Sequence, residues 1–310
     1  MNEELHFYLA PMEGLTTHVF RQAYHHYYEP MEKYFTPFLM PHEKRGFNAK
    51  ELKEISPENN KGMLVVPQIL SSDAAGFLHT VKKLQDLGYG EVNLNLGCPS
   101  KTVVSKFRGS GFLIKTEELD CFLWEIFEKC PLPISVKTRI GKESAEEWGP
   151  LLEIYNQYPI KELIVHPRRQ VDFYKNQPNF EAFSYAAEES KNPLVYNGDI
   201  VDLASFQRVR ERFPQVKSFM IGRGIVADPR LLSHLLGKDC DGHLLDFHEE
   251  VLDTYLSMYG SEKNALFKMK EMWSYMGSLV PEEKKALKQI RKTNSMQEYR
   301  LLARKLLQGK

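Results

Sequence analysis

Residues 91–113 read Glu91-Val-Asn-Leu-Asn-Leu-Gly-Cys-Pro-Ser-Lys-Thr-Val-Val-Ser-Lys-Phe-Arg-Gly-Ser-Gly-Phe-Leu113. An apolar, β-prone run through Leu96 breaks at Gly97, so a strand hands its last residues to a loop. Cys98 sits just past the break. Pro99 removes a backbone donor and biases Cys98 away from helical dihedrals, which holds the thiol in an extended turn at the mouth of whatever the strand belongs to. Gly109 and Gly111 farther along mark backbone lying close to a ligand or to another segment. A cysteine between Gly and Pro at a strand end can be a proton donor, a nucleophile, or a small buried residue filling a tight turn.

Outward from this stretch, similar β-rich runs occur at Phe7–Ala10, Lys33–Phe38, Met63–Leu70, Ile134–Ile140, Glu162–His166, Pro193–Asn197 and Ser218–Ile221. With Glu91–Leu96 they make eight predicted strands. Segments with apolar residues at three- and four-residue spacing lie between most of them: Ala74–Leu87, Glu117–Lys129, Ala145–Tyr158, Phe180–Glu189 and Leu203–Phe213. Residues 46–61 read as a long loop with a short helix. Eight strands alternating with helices over about 240 residues are the size and pattern of an α/β chain folded as a (β/α)8 TIM barrel. A doubly wound sheet is the alternative.

The polar residues favour the barrel. Strands end in Ala10-Pro-Met-Glu-Gly14, Gln68, Asn95-Leu-Gly-Cys98, Lys137-Thr-Arg139, His166-Pro-Arg-Arg169, Asn197-Gly-Asp199 and Gly222-Arg-Gly224. Each has a bland reading alone: a snorkelling lysine, a core histidine, a plain turn. In a parallel barrel, however, all strand C-termini share one face, and that face carries the sites of such enzymes. The turns at Asn197–Asp199 and Gly222–Gly224, after the last two strands, suit a phosphate held on backbone amides, with Arg223 adding a charged donor. Lys137 beside a redox ring would stabilise negative charge that develops on reduction. No Gly-x-Gly-x-x-Gly turn follows a strand, so a Rossmann dinucleotide site is not indicated.

After Asp228-Pro-Arg the period stays helical through Leu244–Met258, Asn264–Val280 and Pro281–Gln308. Residues 1–240 and 244–310 are therefore expected as two domains, the second small and all-helical. Its last segment carries Lys284, Lys285, Lys288, Arg291, Lys292, Arg300, Arg304, Lys305 and Lys310 against Glu282, Glu283 and Glu298. In a chain of zero formal charge this segregation suggests either a polyanion-binding surface or a solvated lysine-rich face.

Apolar residues make 42% of the chain and charged ones 26%, an ordinary globular balance. No apolar run is long enough for a bilayer, and Met1-Asn-Glu-Glu lacks the basic start of a signal peptide, so a cytoplasmic protein is expected. Cys98, Cys121, Cys130 and Cys240 lack metal-ligand spacing and are expected as free thiols with no metal.

Together the motifs Ala10-Pro-Met-Glu-Gly-Leu-Thr16, Asn95-Leu-Gly-Cys-Pro-Ser-Lys-Thr-Val103, Val136-Lys-Thr-Arg139, Val165-His-Pro-Arg168, Asn197-Gly-Asp-Ile200 and Met220-Ile-Gly-Arg-Gly224 resemble the tRNA-dihydrouridine synthase family. The resemblance implies an enzyme that uses FMN, with NADPH as reductant, to reduce uridine in tRNA to 5,6-dihydrouridine. It implies hydride transfer to C6 of the uracil, with Cys98 giving a proton to C5. It places Pro11, Met12, Gln68, Lys137, His166, Asn197, Gly198, Asp199, Gly222 and Arg223 around FMN, and Asn95, Arg139 and Arg168 near the uridine. The barrel would hold FMN and the helical tail would bind RNA, in a monomer. Thr17, Pro167 and Tyr174-Lys-Asn-Gln depart from the family's usual residues. A dihydroorotate dehydrogenase-like flavin barrel acting on a free pyrimidine is the rival enzyme reading. An RNA-binding barrel without chemistry is the rival from another class, and it has no use for Cys98 and Lys137.

Overall fold

The computed structural model of the chain describes residues 4–41, 46–239 and 242–308. Among these, nine parallel strands form one sheet: β1 (His6–Leu9), β2 (Lys33–Phe35), β3 (Val65–Val66), β4 (Gln68–Ile69), β5 (Val92–Leu96), β6 (Ile134–Arg139), β7 (Leu163–His166), β8 (Leu194–Tyr196) and β9 (Ser218–Ile221). Their order is β3-β2-β1-β9-β8-β7-β6-β5-β4. The two ends of that order, β3 and β4, are consecutive in the chain with only Pro67 between them, so the sheet closes on itself as a TIM barrel.

The nine strands correspond to the eight read from the sequence, with one divided. Pro67 lacks an N–H and interrupts the ladder of the predicted Met63–Leu70 strand. Before it, the carbonyls of Leu64 and Val66 accept from Tyr34 and Thr36; after it, Leu39 N–H donates to Gln68 and the Leu39 carbonyl accepts from Leu70. The seam is closed by Leu39↔Ile69, a single parallel bridge. β2 ends at Phe35, earlier than expected: Thr36 N–H still donates to Val66, and Pro37, which has no N–H, leaves the ladder.

Side chains alternate across each strand, and those pointing inward fill the barrel in layers. Tyr8, Ala10, Phe35, Val66, Ile164, Val195 and Met220 form the apolar middle. Beneath it, at the N-terminal ends of the strands, lies a buried ionic base. Lys33 Nζ reaches Glu162 (2.7 Å) and Glu91 (3.2 Å), Lys161 reaches Glu91 (2.7 Å), and Tyr8 donates to Glu162 (2.6 Å). Polar atoms at that depth are tolerated because each is paired.

The helical region follows as Leu244–Tyr259, Glu262–Met276, Lys284–Lys292 and Met296–Leu307. The single segment expected over 281–308 is two helices. Ser295 caps the second by accepting from Glu298 N–H, a Ser-x-x-Glu start signal in the middle of the run. Trp273 and Tyr299 are buried at the centre of the helices, Trp273 Nε1 donating to Tyr299 (2.8 Å). Helix Leu244–Tyr259 packs on helix His18–Tyr27, Phe247 meeting Phe20 edge-on with ring centroids 5.5 Å apart. This contact brings the helices beside the barrel's C-terminal face. Thr17, one of the departures from the family pattern, bonds Tyr255 across it (2.8 Å).

In the 46–61 region a helix spans Ala49–Ile55, with an Asn48–Glu51 capping box at its start. Cys98, Cys121 and Cys130 are free thiols; Cys240 lies outside the described residues, as does residue 241 in the expected domain boundary. No described helix is long and apolar enough to cross a membrane.

Candidate active site

The strand ends converge on a cleft of about 390 Å³ lined by Gln68, Asn95, Cys98, Lys137, Arg139 and His166, among others. It shares Pro11, Met12, Lys137, His166 and Tyr174 with a second hollow of about 60 Å³, whose walls are Asn197–Val201 and Gly222–Gly224. Every site residue read from the sequence lines one of the two except Arg168.

Cys98 is held from both sides. The Asn95 side-chain oxygen accepts from Gly97 N–H (3.0 Å) and Cys98 N–H (2.9 Å), which shapes the turn. The Cys98 carbonyl accepts from the Ser110 amide (3.2 Å) and hydroxyl (2.8 Å). The two glycines flanking Ser110 are there for another segment of chain. A Cβ on Gly109, whose φ is +54°, would lie 2.9 Å from the Cys98 carbonyl oxygen; one on Gly111 would lie 2.6 Å from that of Val104.

Asn95 is itself held by a chain of buried amides. Its Nδ2 donates to Gln68 Oε1 (2.7 Å), Gln68 Nε2 donates to Asn93 Oδ1 (2.8 Å), and Asn93 Nδ2 donates to Ser135 Oγ (3.0 Å). Asn93 and Ser135 were not singled out from the sequence. The available signal was parity: both share the inward face with Asn95 and Lys137, where a barrel core ordinarily puts branched apolar residues.

Lys137 stands opposite Asn95 in the β5–β6 register. Burial, and after it the charge of Arg139, lowers its ammonium pKa to about 7. No described carboxylate pairs with it, so the cleft contains a cation without a protein counter-ion. Burial also raises the Cys98 thiol, an effect that the Ser100 amide and the charges of Arg139 and Lys137 only partly offset. At neutral pH Cys98 is therefore the protonated thiol, suited to giving a proton and poorly suited to nucleophilic attack.

His166 is driven the other way. Burial, then the surrounding cations Arg139, Lys137, Arg168 and Arg223, hold its pKa well below the usual histidine value, so the ring is neutral. Arg168 Nη1 donates to its Nε2 (3.0 Å), which leaves the ring proton on Nδ1.

The arginines act mainly on the protein itself. Arg139 is fully buried and donates to the carbonyls of Gly97 (3.0 Å), Arg169 (2.8 Å) and Phe173 (2.9 Å), tying three loops together. Arg168 is also buried. It donates to the Asn176 carbonyl (2.6 Å) and forks onto Asp199, which takes a second guanidinium from Arg223. Burial would raise the Asp199 carboxyl, but these two arginines outweigh it and hold it below the usual range. Asn197 anchors its turn by donating to the Met220 carbonyl (2.8 Å).

Three contributors had no local signal. Tyr174 lines both hollows, with the Arg223 guanidinium 4.4 Å and that of Arg139 5.3 Å from its ring centre. Glu271 and Tyr275 reach the cleft mouth from helix Glu262–Met276. More than 130 residues separate them from Lys137 in the chain, so only docking of the helices brings them there. Among the described residues no cluster of His, Cys, Asp or Glu is arranged to hold a metal ion.

Known proteins resemble this chain in sequence or in fold. A probable tRNA-dihydrouridine synthase of Staphylococcus aureus (strain COL) is 27% identical over 275 residues, covering 86% of this chain and 81% of the relative. The tRNA-dihydrouridine(16) synthase of Pseudomonas syringae pv. tomato is 30% identical over 232 residues, 72% of each chain. Among solved structures, a morphinone reductase variant in complex with tetrahydroNAD superposes with a TM-score of 0.51 at 11% identity, over 78% of this chain and 89% of that one, a likeness of fold alone. The family model for dihydrouridine synthase (Dus) matches residues 8–306, through the barrel and the helices alike, and the chain belongs to that family.

Proposed function

We propose that the protein is an FMN-dependent tRNA-dihydrouridine synthase of the cytoplasm, which takes its reducing equivalents from NADPH. In this reading residues 1–240 form the FMN-binding catalytic unit and residues 244–310 the RNA-binding one. The observation that carries it is Cys98: a protonated thiol on a turn fastened at both ends, facing the same cleft as the uncompensated ammonium of Lys137.

The residues fit FMN. The cleft is within the usual size range for a small-molecule site, about 300–1,000 Å³. It continues into a hollow whose glycine-rich walls and Arg223 suit a phosphate. Lys137 supplies the positive charge that a reduced isoalloxazine needs, and neutral His166 supplies an Nδ1–H donor. When bound, FMN would carry the hydride from NADPH to C6 of the uracil.

The protein's own part is to position and protonate. Arg139 and Asn95 hold the Cys98 turn, and the thiol delivers its proton to C5, where water would be a poorly placed acid. The target uridine must leave its stack to reach the cleft.

Charge on the helices supports an RNA partner. Arg300, Arg304 and Lys305 of the last helix pair with Asp253, Glu249 and Glu283. Lys284, Lys285, Lys288, Arg291 and Lys292 have no described ion-pair partner, so the free positive charge gathers on helix Lys284–Lys292. Such a surface matches a phosphate backbone.

The test is anaerobic. The flavin of the purified protein is reduced, tRNA lacking dihydrouridine or orotate is added, and flavin absorbance is followed. Reoxidation by the tRNA is expected. Reoxidation by orotate alone would transfer the assignment to a free-pyrimidine oxidoreductase, and a protein that binds no flavin would remove the proposal.

A further inference from the structure

A third cavity, of about 260 Å³, lies on the seam between the barrel's first loops and the helical region, and the reaction proposed above makes no use of it. Its wall is largely apolar and aromatic: Ala49, Tyr255, Met258 and Tyr259. The Tyr255 and Tyr259 rings are stacked, 12° from parallel with centroids 5.7 Å apart. Tyr255 is buried, whereas Tyr259 is 38% exposed and so leaves part of its surface open.

Lys50, Lys53 and Lys268 stand around this cavity. Lys50 pairs with Glu13, and Lys268 pairs with Glu271 (3.0 Å). Lys53 has no ion-pair partner among the described residues. The one carboxylate in the lining, Glu54, is already occupied by Arg21 Nη1 (2.9 Å) and the His18 amide (2.8 Å). Lys53 is thus the cation left available to a ligand.

The cavity also backs directly onto the active-site cleft. Glu13 and Glu271 line the cleft, while their neighbours Gly14 and Lys268 line the seam. Lys268 Nζ bridges the two sides, donating to the Gly14 carbonyl (3.1 Å) as well as to Glu271. Whatever occupies the seam lies one side-chain layer from the active-site cleft.

We infer that the seam cavity receives a second nucleotide of the RNA, near the target uridine in the chain, with its base against Tyr259 and its phosphate at Lys53. A flat ring joined to an anion is the chemistry that an aromatic wall with an unpaired ammonium recognises, and base–aromatic stacking tolerates any base. The inference rests on the tRNA reading of the active site. It adds a positioning contact that would fix which nucleotide is presented to the cleft.

The test is steady-state reduction of unmodified tRNA by the FMN-loaded protein. Tyr259→Ala should raise the KM for tRNA roughly tenfold, as expected for one lost stacking contact. Its kcat and its rate of flavin reduction by NADPH should be unchanged, and Tyr259→Trp should keep the wild-type KM. Lys53→Ala, at an exposed position, should also raise the KM, with an effect that shrinks as salt is added. Unchanged KM for tRNA in both alanine variants overturns the inference. So does a rise in the KM for NADPH instead, which would assign the cavity to the dinucleotide. A wild-type protein that does not reduce tRNA overturns the functional reading and this inference together, whereas an active wild type with unmoved variants overturns the inference alone.

Discussion

Asn95→Ala tests whether the thiol works because its turn is fastened. The substitution removes three hydrogen bonds: two accepted from the Gly97 and Cys98 amides and one donated to Gln68 Oε1. At about 1 kcal/mol for each bond, with an unsatisfied Gln68 oxygen left in the barrel, the loss is about 3 kcal/mol or somewhat more. For a chain of this size that lowers the melting temperature by roughly 5 °C. The catalytic effect should exceed the general loss of stability. With Asn95 gone, nothing on the strand side holds the amide of Cys98, and a displacement of about 1 Å at a proton donor costs on the order of 10²-fold in rate. The assay is single-turnover reoxidation of reduced flavin by unmodified tRNA, at a temperature where the variant is folded. Asn95→Asp separates the two effects, because a carboxylate still accepts from both amides while losing the donor to Gln68. It should therefore recover most of the rate and less of the stability. An Asn95→Ala enzyme that reoxidises at the wild-type rate would refute the positioning argument, whatever its melting temperature.

Four further outcomes follow from the geometry. Cys98→Ala should retain FMN and its reduction by NADPH while losing about 10²–10⁴-fold in tRNA reduction, which stopped-flow absorbance of the two half-reactions would separate. Because Lys137 is protonated only below about pH 7 in the free protein, its attraction for the anionic cofactor is present at low pH and lost as the pH rises through that value; FMN affinity by fluorescence quenching should weaken accordingly in the wild type and vary far less there in Lys137→Met. Replacing Lys285, Lys288 and Lys292 by alanine should reduce the slope of log affinity for tRNA against log salt by about 2–3, and an unchanged slope would exclude this helix from the RNA contact. Lys33→Met would leave Glu162 without its cation inside the barrel base and lower stability by about 3 kcal/mol by calorimetry, with no change in kcat if the base is purely structural.

The barrel was legible because strand and helix periods are local properties. The residues of β5 through β9 stand nearly where their apolar runs place them, and the polar clusters at their ends mark the shared face before any contact is known. Misreadings occurred where one residue outweighed the pattern. Pro67 cut a strand that hydrophobicity alone would run from Met63 to Leu70, and the Ser295–Glu298 cap divided a helical period that is otherwise unbroken. The basic tail was legible as charge but not as free charge, since Arg300, Arg304 and Lys305 find their acids on other segments.

By itself, the sequence determined the eightfold alternation, the face on which the site lies, and the chemical types gathered there, because each depends on residues within a few positions of one another. Tertiary structure alone decided how those residues divide the work. Arg139 and Arg168 are as polar in sequence as Lys137, yet burial directs their guanidinium groups to carbonyls and to Asp199, while Lys137 is left facing the cleft without a counter-ion. The same burial raises the Cys98 thiol and keeps His166 neutral. Glu271 and Tyr275 join the mouth, and the seam cavity exists, only because helices distant in the chain dock beside β1. Desolvation and long-range contact set these outcomes, and neither is written in the spacing of residues along the chain.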